Sequence, residues 1–273
     1  MVTYFKALTV AGSDSGGGAG IQADLKTFAA LKVYGTSAIT SVTAQNSQKF
    51  LAIKYLPSLL IIQQINAVLS DIGANAIKTG LLGKPNVVRA VVECVTPHPE
   101  IPLIIDPVMT STTGRTFMDF KTIKALRNLL LPLALVVTPN FPEAQALTGR
   151  DIKTEADCLQ AVEEIFQMGP KVVILKGGHC PENLKNANGK VTDLFYDGHN
   201  FQKISGPCLP GGTKHGTGCT FSAAITAGIA KGFSVLHAAQ SARKYLTKTW
   251  TNSFPVGKGQ SSPLNHFYDS WKA

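Results

Sequence analysis

Apolar and polar positions along this chain switch repeatedly between a period near two and a period near 3.6, the signature of strands alternating with helices. Residues 5–11 form an apolar run that predicts a buried strand, and the glycine-rich stretch 12–20 follows it. Ile21, Leu25, Phe28 and Leu31 then fall on one helical face. Residues 34–44, rich in Thr, Val and Ile, predict a second strand ending at Gln45-Asn46. Pro57 opens a helix whose Leu59, Ile62, Ile65 and Leu69 share a face, and residues 76–80 predict a third strand. A helix over 86–95 stops before Pro97, because a residue preceding proline is pushed out of the helical region. Residues 102–106 predict a fourth strand, and Asp119 is placed to cap a helix carrying Ile123, Leu126 and Leu130. The fifth strand, 134–138, turns at Pro139-Asn140; Thr154-Glu-Ala-Asp157 reads as a capping box before a helix reaching Gln167. Residues 171–176 predict a sixth strand, and 191–196 with 201–204, split by Asp197-Gly198, a β-hairpin. A glycine-led helix from His215 and an amphipathic helix from Ser234 complete the pattern. Short connections between alternating strands and helices predict an α/β fold, a three-layer αβα sandwich around a mostly parallel sheet, with the hairpin appended. At this length, residues 1–273 read as one domain.

Composition narrows the function classes. Hydrophobic residues make up 44% and charged residues 16%, which fits a packed core and excludes a disordered chain. The longest apolar run, residues 133–137 with 129–131 ahead of Pro132, is too short to span a bilayer. Lys6 lies inside a strand-like run and no signal-peptide layout is visible, so a cytoplasmic protein is expected. Net charge is +9, yet Lys and Arg are scattered without a basic run or interleaved aromatics. That argues against nucleic acid and for attraction of small polyanions. The five cysteines, Cys94, Cys158, Cys180, Cys208 and Cys219, show no CxxC pair, and Cys180 beside His179 is too little for zinc. Reduced thiols in or near the core are expected for all but Cys219.

In open α/β sheets, ligands bind beyond the carboxyl ends of the strands. The residues that follow the predicted strands are Asp14, Gln45, Thr79-Gly80, Asp106, Asn140 with Glu143, and Lys176-Gly-Gly-His179. Nearly every conspicuous polar group therefore shares one rim, which predicts a single cleft. The stretch His215-Gly-Thr-Gly-Cys-Thr220 opens a helix whose first amides have no internal partner, and Gly216 and Gly218 let another molecule approach closely. Such a turn is an anion cradle, most often for phosphate. Cys219 at its mouth is expected to be pushed from an ordinary pKa near ~8.5 toward thiolate. Gly18-Ala-Gly20-Ile-Gln-Ala23 satisfies the dinucleotide fingerprint on paper, but Gln45-Asn46 stands where the ribose-binding acid belongs. A Rossmann-type nicotinamide-dependent oxidoreductase is accordingly the alternative from a different class. Gly80-Leu-Leu-Gly83-Lys84 has the wrong spacing for a P-loop. Asp106 and Glu143 suit Mg²⁺, which bridges carboxylates to phosphates; each also has a plain reading, as a loop cap and a first-turn helix acid. Lys176 can reach a phosphate as a point charge, and the Gln45 amide offers a donor and an acceptor to a ring with the reverse pair. Asp14 reads as a turn residue rather than a catalyst, and His179 and His215 as loop residues near ligand.

With these residues in place the chain resembles the hydroxymethylpyrimidine/phosphomethylpyrimidine kinases of thiamine biosynthesis, within the ribokinase-like superfamily. The resemblance spans essentially the whole chain and rests on residues 11–28, Val42-Thr-Ala-Gln-Asn46, Asp106-Pro-Val-Met109, Thr138-Pro-Asn-Phe-Pro-Glu-Ala144, Lys176-Gly-Gly-His179 and the cradle. It implies ATP-dependent phosphorylation of a hydroxymethyl group, a second phosphorylation to the diphosphate, and a homodimer. It places Gln45 on the aminopyrimidine, with Gly12 and Asp14 on the substrate side. Asp106 and Glu143 would support Mg²⁺; Asn140, Lys176 and Thr217 would face ATP. Gly216 and Gly218 would form the anion hole, and Cys219 would stand where many related sugar kinases carry a catalytic Asp. A pyridoxal kinase of the same superfamily is the near alternative. The chain departs from the family pattern at Leu81, at Thr110-Ser-Thr-Thr113 and at Gly257-Lys-Gly-Gln-Ser-Ser-Pro263.

Overall fold

A strand covered on both faces must be apolar throughout, and its alternation decides which layer each side chain joins. The computed structural model, which describes residues 4–110, 116–179, 190–208, 214–259 and 262–271, shows this sorting clearly. Leu8 and Val10 of β1 (Lys6–Ser13) pack with Ile77 of β4 (Ala76–Thr79) and with Leu103 and Ile105 of β5 (Leu103–Ile105) in one core. Val137 of β6 (Val136–Val137) and Val173 and Leu175 of β7 (Val172–Leu175) join the same core. Their neighbours Ala7, Ala76, Ile104, Val136, Val172 and Ile174 point into a second core on the opposite face. The first core is covered by α2 (Ser58–Ala67), α3 (Pro85–Val95), α4 (Phe120–Ala125), α5 (Phe141–Thr148) and α6 (Glu155–Gln167). The second is covered by α1 (Gly20–Ala30), α7 (Thr217–Ala230) and α8 (Val235–Thr251).

The sheet order is β3-β2-β1-β4-β5-β6-β7-β8-β9, with β2 (Tyr34–Gln45) through β7 parallel. An antiparallel strand, β3 (Phe50–Tyr55), closes one edge, and the hairpin of β8 (Lys190–Tyr196) and β9 (Phe201–Pro207) closes the other. The order reverses between β1 and β4, so the crevice of this sheet lies beyond those two carboxyl ends. Asp119 and Thr154 cap α4 and α6 as expected, and Ser234, where the last helix is expected to begin, caps α8. The pattern did not predict β3, and α5 is implied only by the reading of Glu143 as a first-turn helix acid. No residue of β3 is fully buried, so its apolar residues show no burial period, and α5 is only two turns long. Cys180, residues 111–113 and residues 260–261 lie outside the described residues.

One polar pair crosses the second layer. Lys78 on β4 and Asp24 on α1 are both fully buried, with Nζ 2.8 Å from each carboxylate oxygen, and the Thr9 hydroxyl donates to Asp24 at 2.7 Å. Burial alone would drive the Lys78 ammonium down; the negative charge of Asp24 beside it holds it above its usual value. Removing one member of such a pair strands an uncompensated charge. Lys78→Met should therefore lower the unfolding free energy by roughly 3–5 kcal/mol in urea titrations, with most of that recovered in Lys78→Met/Asp24→Asn. A single variant as stable as wild type would show that the pair does not hold α1 to the sheet.

Candidate active site

The first glycine loop is built around Asp14. Its carboxylate accepts from the amides of Gly16 (2.7 Å), Gly18 (3.0 Å) and Ala19 (2.8 Å), and its Oδ2 also meets His215 Nε2 at 2.7 Å. Burial by itself would raise the Asp14 carboxyl, but His215 and the loop amides outweigh it and keep it below the usual range. Those amides are thus satisfied internally, which leaves the second glycine turn to receive an anion. Asp14 behaves as the turn residue that its position suggests, and it ties the loop after β1 to the start of α7.

At that start Gly216 is the N-cap of α7, with φ +83° and no side chain capping the first turn. A Cβ there would lie 1.7 Å from the Gly18 carbonyl oxygen, so only glycine fits. A Cβ on Gly218 would sit 3.4 Å from Lys176 Nζ and 3.7 Å from Asp106 Oδ2. The open amino end of α7 therefore faces the same point as the strand-end charges. Lys176 Nζ lies 2.8 Å from Asp106 Oδ1 and 3.7 Å from Glu143 Oε2, and Ser222 of α7 donates to Asp106 Oδ2 at 3.1 Å. Burial would raise Asp106, yet Lys176, Lys78 and the Ser222 hydroxyl hold it low. Glu143 is pushed up to about 7 by burial and by Asp106, against the pull of Lys176. Glu143 also closes a capping box with Asn140, so it is both a first-turn helix acid and a wall of the cleft.

Asp14, Asp106, Glu143, Lys176 and Gly218 line one cleft of about 560 Å³, together with Gly12, Gln45, Thr217 and Cys219. That volume suits a small ligand and a nucleotide in part. Gln45 lines the cleft opposite Phe50 in the β2–β3 pairing, and the Phe50 and Phe117 rings, also in the lining, are 5.6 Å apart. Its backbone is fixed by the Ser15 hydroxyl, which bonds both its N–H and its carbonyl at 2.8 and 2.7 Å, leaving the side-chain amide to the cleft. His215 reaches the cleft, whereas His179 closes a short 3₁₀ turn after β7. Sequence reasoning missed Lys78, Ser222 and the Phe50–Phe117 pair. The first lies inside an apolar strand, and the others belong to elements whose faces no local pattern reveals.

A family model described as phosphomethylpyrimidine kinase matches residues 14–265 of the chain. The chain belongs to the phosphomethylpyrimidine kinase family. Among its relatives is the hydroxymethylpyrimidine/phosphomethylpyrimidine kinase of Bacillus subtilis, 42% identical over 266 residues, covering 97% of this chain and 96% of the relative. Phosphomethylpyrimidine kinase from Clostridium difficile superposes with a TM-score of 0.77 at 38% identity, over 89% of this chain and 98% of that one. Pyridoxal kinase from Staphylococcus aureus in complex with AMP-PCP and pyridoxal superposes with a TM-score of 0.88 at 33% identity, over 98% and 96% of the two chains. The ribokinase-like fold expected from the sequence is thereby established. No helix among the described residues is long and apolar enough to cross a membrane.

The surroundings of Cys219 argue against the thiolate expected from its place at a helix start. Cys219 is not drawn to thiolate: burial pushes its thiol up to about 12, and Asp24 and Asp106 add to the effect while Lys78 opposes it. The pull of the Lys78 ammonium and a backbone hydrogen bond from Gly20 do not make up for desolvation and the two nearby carboxylates. Alkylation of Cys219 by iodoacetamide, followed on its peptide by mass spectrometry, should keep accelerating through about pH 9. A rate already level by about pH 8 would restore the thiolate.

Proposed function

We propose that the chain transfers the γ-phosphoryl group of ATP to hydroxymethylpyrimidine and then phosphorylates the monophosphate to the diphosphate, supplying thiamine biosynthesis. The names of its full-length relatives support that substrate. The observation that carries the chemistry is the convergence at Gly218, where the open end of α7, Lys176 and Asp106 meet. Phosphoryl transfer asks mainly for positioning and for neutralisation of charge on the transferred group. The amides at Gly216, Thr217 and Gly218 supply fixed donors to that group, and Lys176 supplies a point charge. Asn140 stands on the nucleotide side of the same rim. We place the reaction in the cytoplasm, where ATP is available, and assign residues 1–273 to one kinase domain.

Two buried carboxylates share a single ammonium at this rim, and one of them, Glu143, titrates near neutrality. That excess of negative charge and the all-oxygen donor set fit Mg²⁺, held by Asp106 and Glu143. When bound, the ion supplies charge neutralisation and a template for phosphate oxygens. Cys219, as a neutral thiol, orients the substrate hydroxyl within the cradle rather than removing its proton beforehand. Gln45 reads the aminopyrimidine edge, with Gly12 giving the ring backbone room and Asp14 holding the loop around it.

A second reading, pyridoxal kinase, draws on the Staphylococcus aureus structure and on a cleft able to take another aromatic alcohol. A panel of hydroxymethylpyrimidine, its monophosphate and pyridoxal with Mg-ATP, scored for ADP and for phosphorylated products, separates the two. The pyrimidines should give the higher kcat/KM and a diphosphate; turnover of pyridoxal alone would reverse the assignment. Gln45→Leu should raise the pyrimidine KM about tenfold while leaving the ATP KM within about twofold, since a lost polar contact is felt only by its partner. Equal rises in both would argue that Gln45 shapes the cleft without reading the ring.

A further inference from the structure

β7 ends where it must release a charged side chain into the cleft. The β7–β8 ladder runs from Val173↔Tyr196 to Leu175↔Leu194 and stops there. Lys176 instead bonds the other neighbour, its N–H donating to the Pro139 carbonyl at 2.8 Å. The next amide, Gly177, donates to the side chain of Asp193 on β8 at 2.9 Å, so a carboxylate takes over where the backbone ladder gives out. The other oxygen of Asp193 is gripped by Nε and Nη2 of Arg243 on α8. Asp193 is fully buried, and the Arg243 side chain is 13% exposed.

Arg243 is itself tightly seated. Its guanidinium carbon lies 5.0 Å from the centre of the Phe221 ring, two residues beyond Cys219 on α7. A Cβ on Gly206 of β9 would come within 2.9 Å of Arg243 Cδ, so the hairpin leaves room for this stem. One side chain thus joins the cradle helix, the hairpin and, through Asp193, the turn that carries Lys176. A guanidinium can do this because it aims two donors of fixed geometry at one oxygen and leaves the other for Gly177; an ammonium lacks that planar fork.

We infer that Arg243 and Asp193 are positioning residues for Lys176: together they set where the chain leaves the sheet, and so where the Lys176 ammonium meets the phosphates of a nucleoside triphosphate or diphosphate. This inference rests on the phosphotransferase reading for its ligand. Its test uses nucleotide affinity, so that it stands apart from turnover. Mg-ADP binding is measured by calorimetry for wild type, Arg243→Lys, Asp193→Asn, Lys176→Met, and Lys176→Met combined with Arg243→Lys. Each of the first two variants should weaken binding about tenfold, a charged hydrogen bond's worth of misplacement, and adding Arg243→Lys to Lys176→Met should weaken it no further. Thermal melts confirm folding, and Asp193→Asn, which preserves shape, serves should Arg243→Lys not fold. Weakening by the same factor in the Lys176→Met background would overturn the inference, as would lower melting temperatures with unchanged affinity. Wild-type protein that binds Mg-ADP but phosphorylates none of the alcohols would remove the kinase reading and leave this comparison intact.

Discussion

Everything at the rim depends on how Asp14 joins two glycine turns. A buried carboxylate surrounded by amides is stable only when those donors outweigh its loss of water, and here the loop amides and His215 achieve that. The consequence is geometric. With its own loop satisfied, Asp14 fixes His215, and His215 precedes the glycine at which α7 begins. Gly216 then lies against the Gly18 carbonyl in a conformation closed to other residues. The two loops are therefore one structural unit, and the direction in which α7 presents its open amides is set by their contact.

Charge in the floor of the cleft follows a consistent logic. Lys78 is committed to Asp24, and Lys176 is divided between Asp106 and Glu143. Burial outweighs the pull of Lys78 on the Cys219 thiol, and Asp24 and Asp106 add to the rise, so the thiol form is favoured despite its place at a helix amino end. The dipole of a helix contributes about 0.3–1 kcal/mol at exposed sites, a small effect against desolvation of a sulfur anion. The same surplus of carboxylate over ammonium that disfavours the thiolate makes the rim receptive to a cation.

Much of this was legible in the chain, for reasons that differ from element to element. The strand-end residues could be gathered onto one rim because parallel strands all point their carboxyl ends the same way. The cradle was visible because glycines at a helix start leave a local mark. The capping box of α5 was also local, in Asn140 and Glu143, but two turns carry too few apolar positions to show a helical period. β3 was lost because an edge strand has no buried face to write a pattern. Lys78 and Asp24 lie 54 residues apart, and a lysine in an apolar strand reveals nothing of a partner that the fold alone supplies. The surroundings of the Cys219 thiol were hidden for the same reason: Lys78, Asp24 and Asp106 are distant in the sequence.

From Thr220 to Ala230, α7 is buried on every side, walled by α1, α8 and the sheet, with Gly228 letting Ala238 of α8 approach closely. A rod enclosed along its whole length has no room to tilt or slide. The direction of its amino end is therefore set by packing when the chain folds. What can vary without disturbing that end lies off the helix, as with Phe50 on the half-exposed edge strand β3.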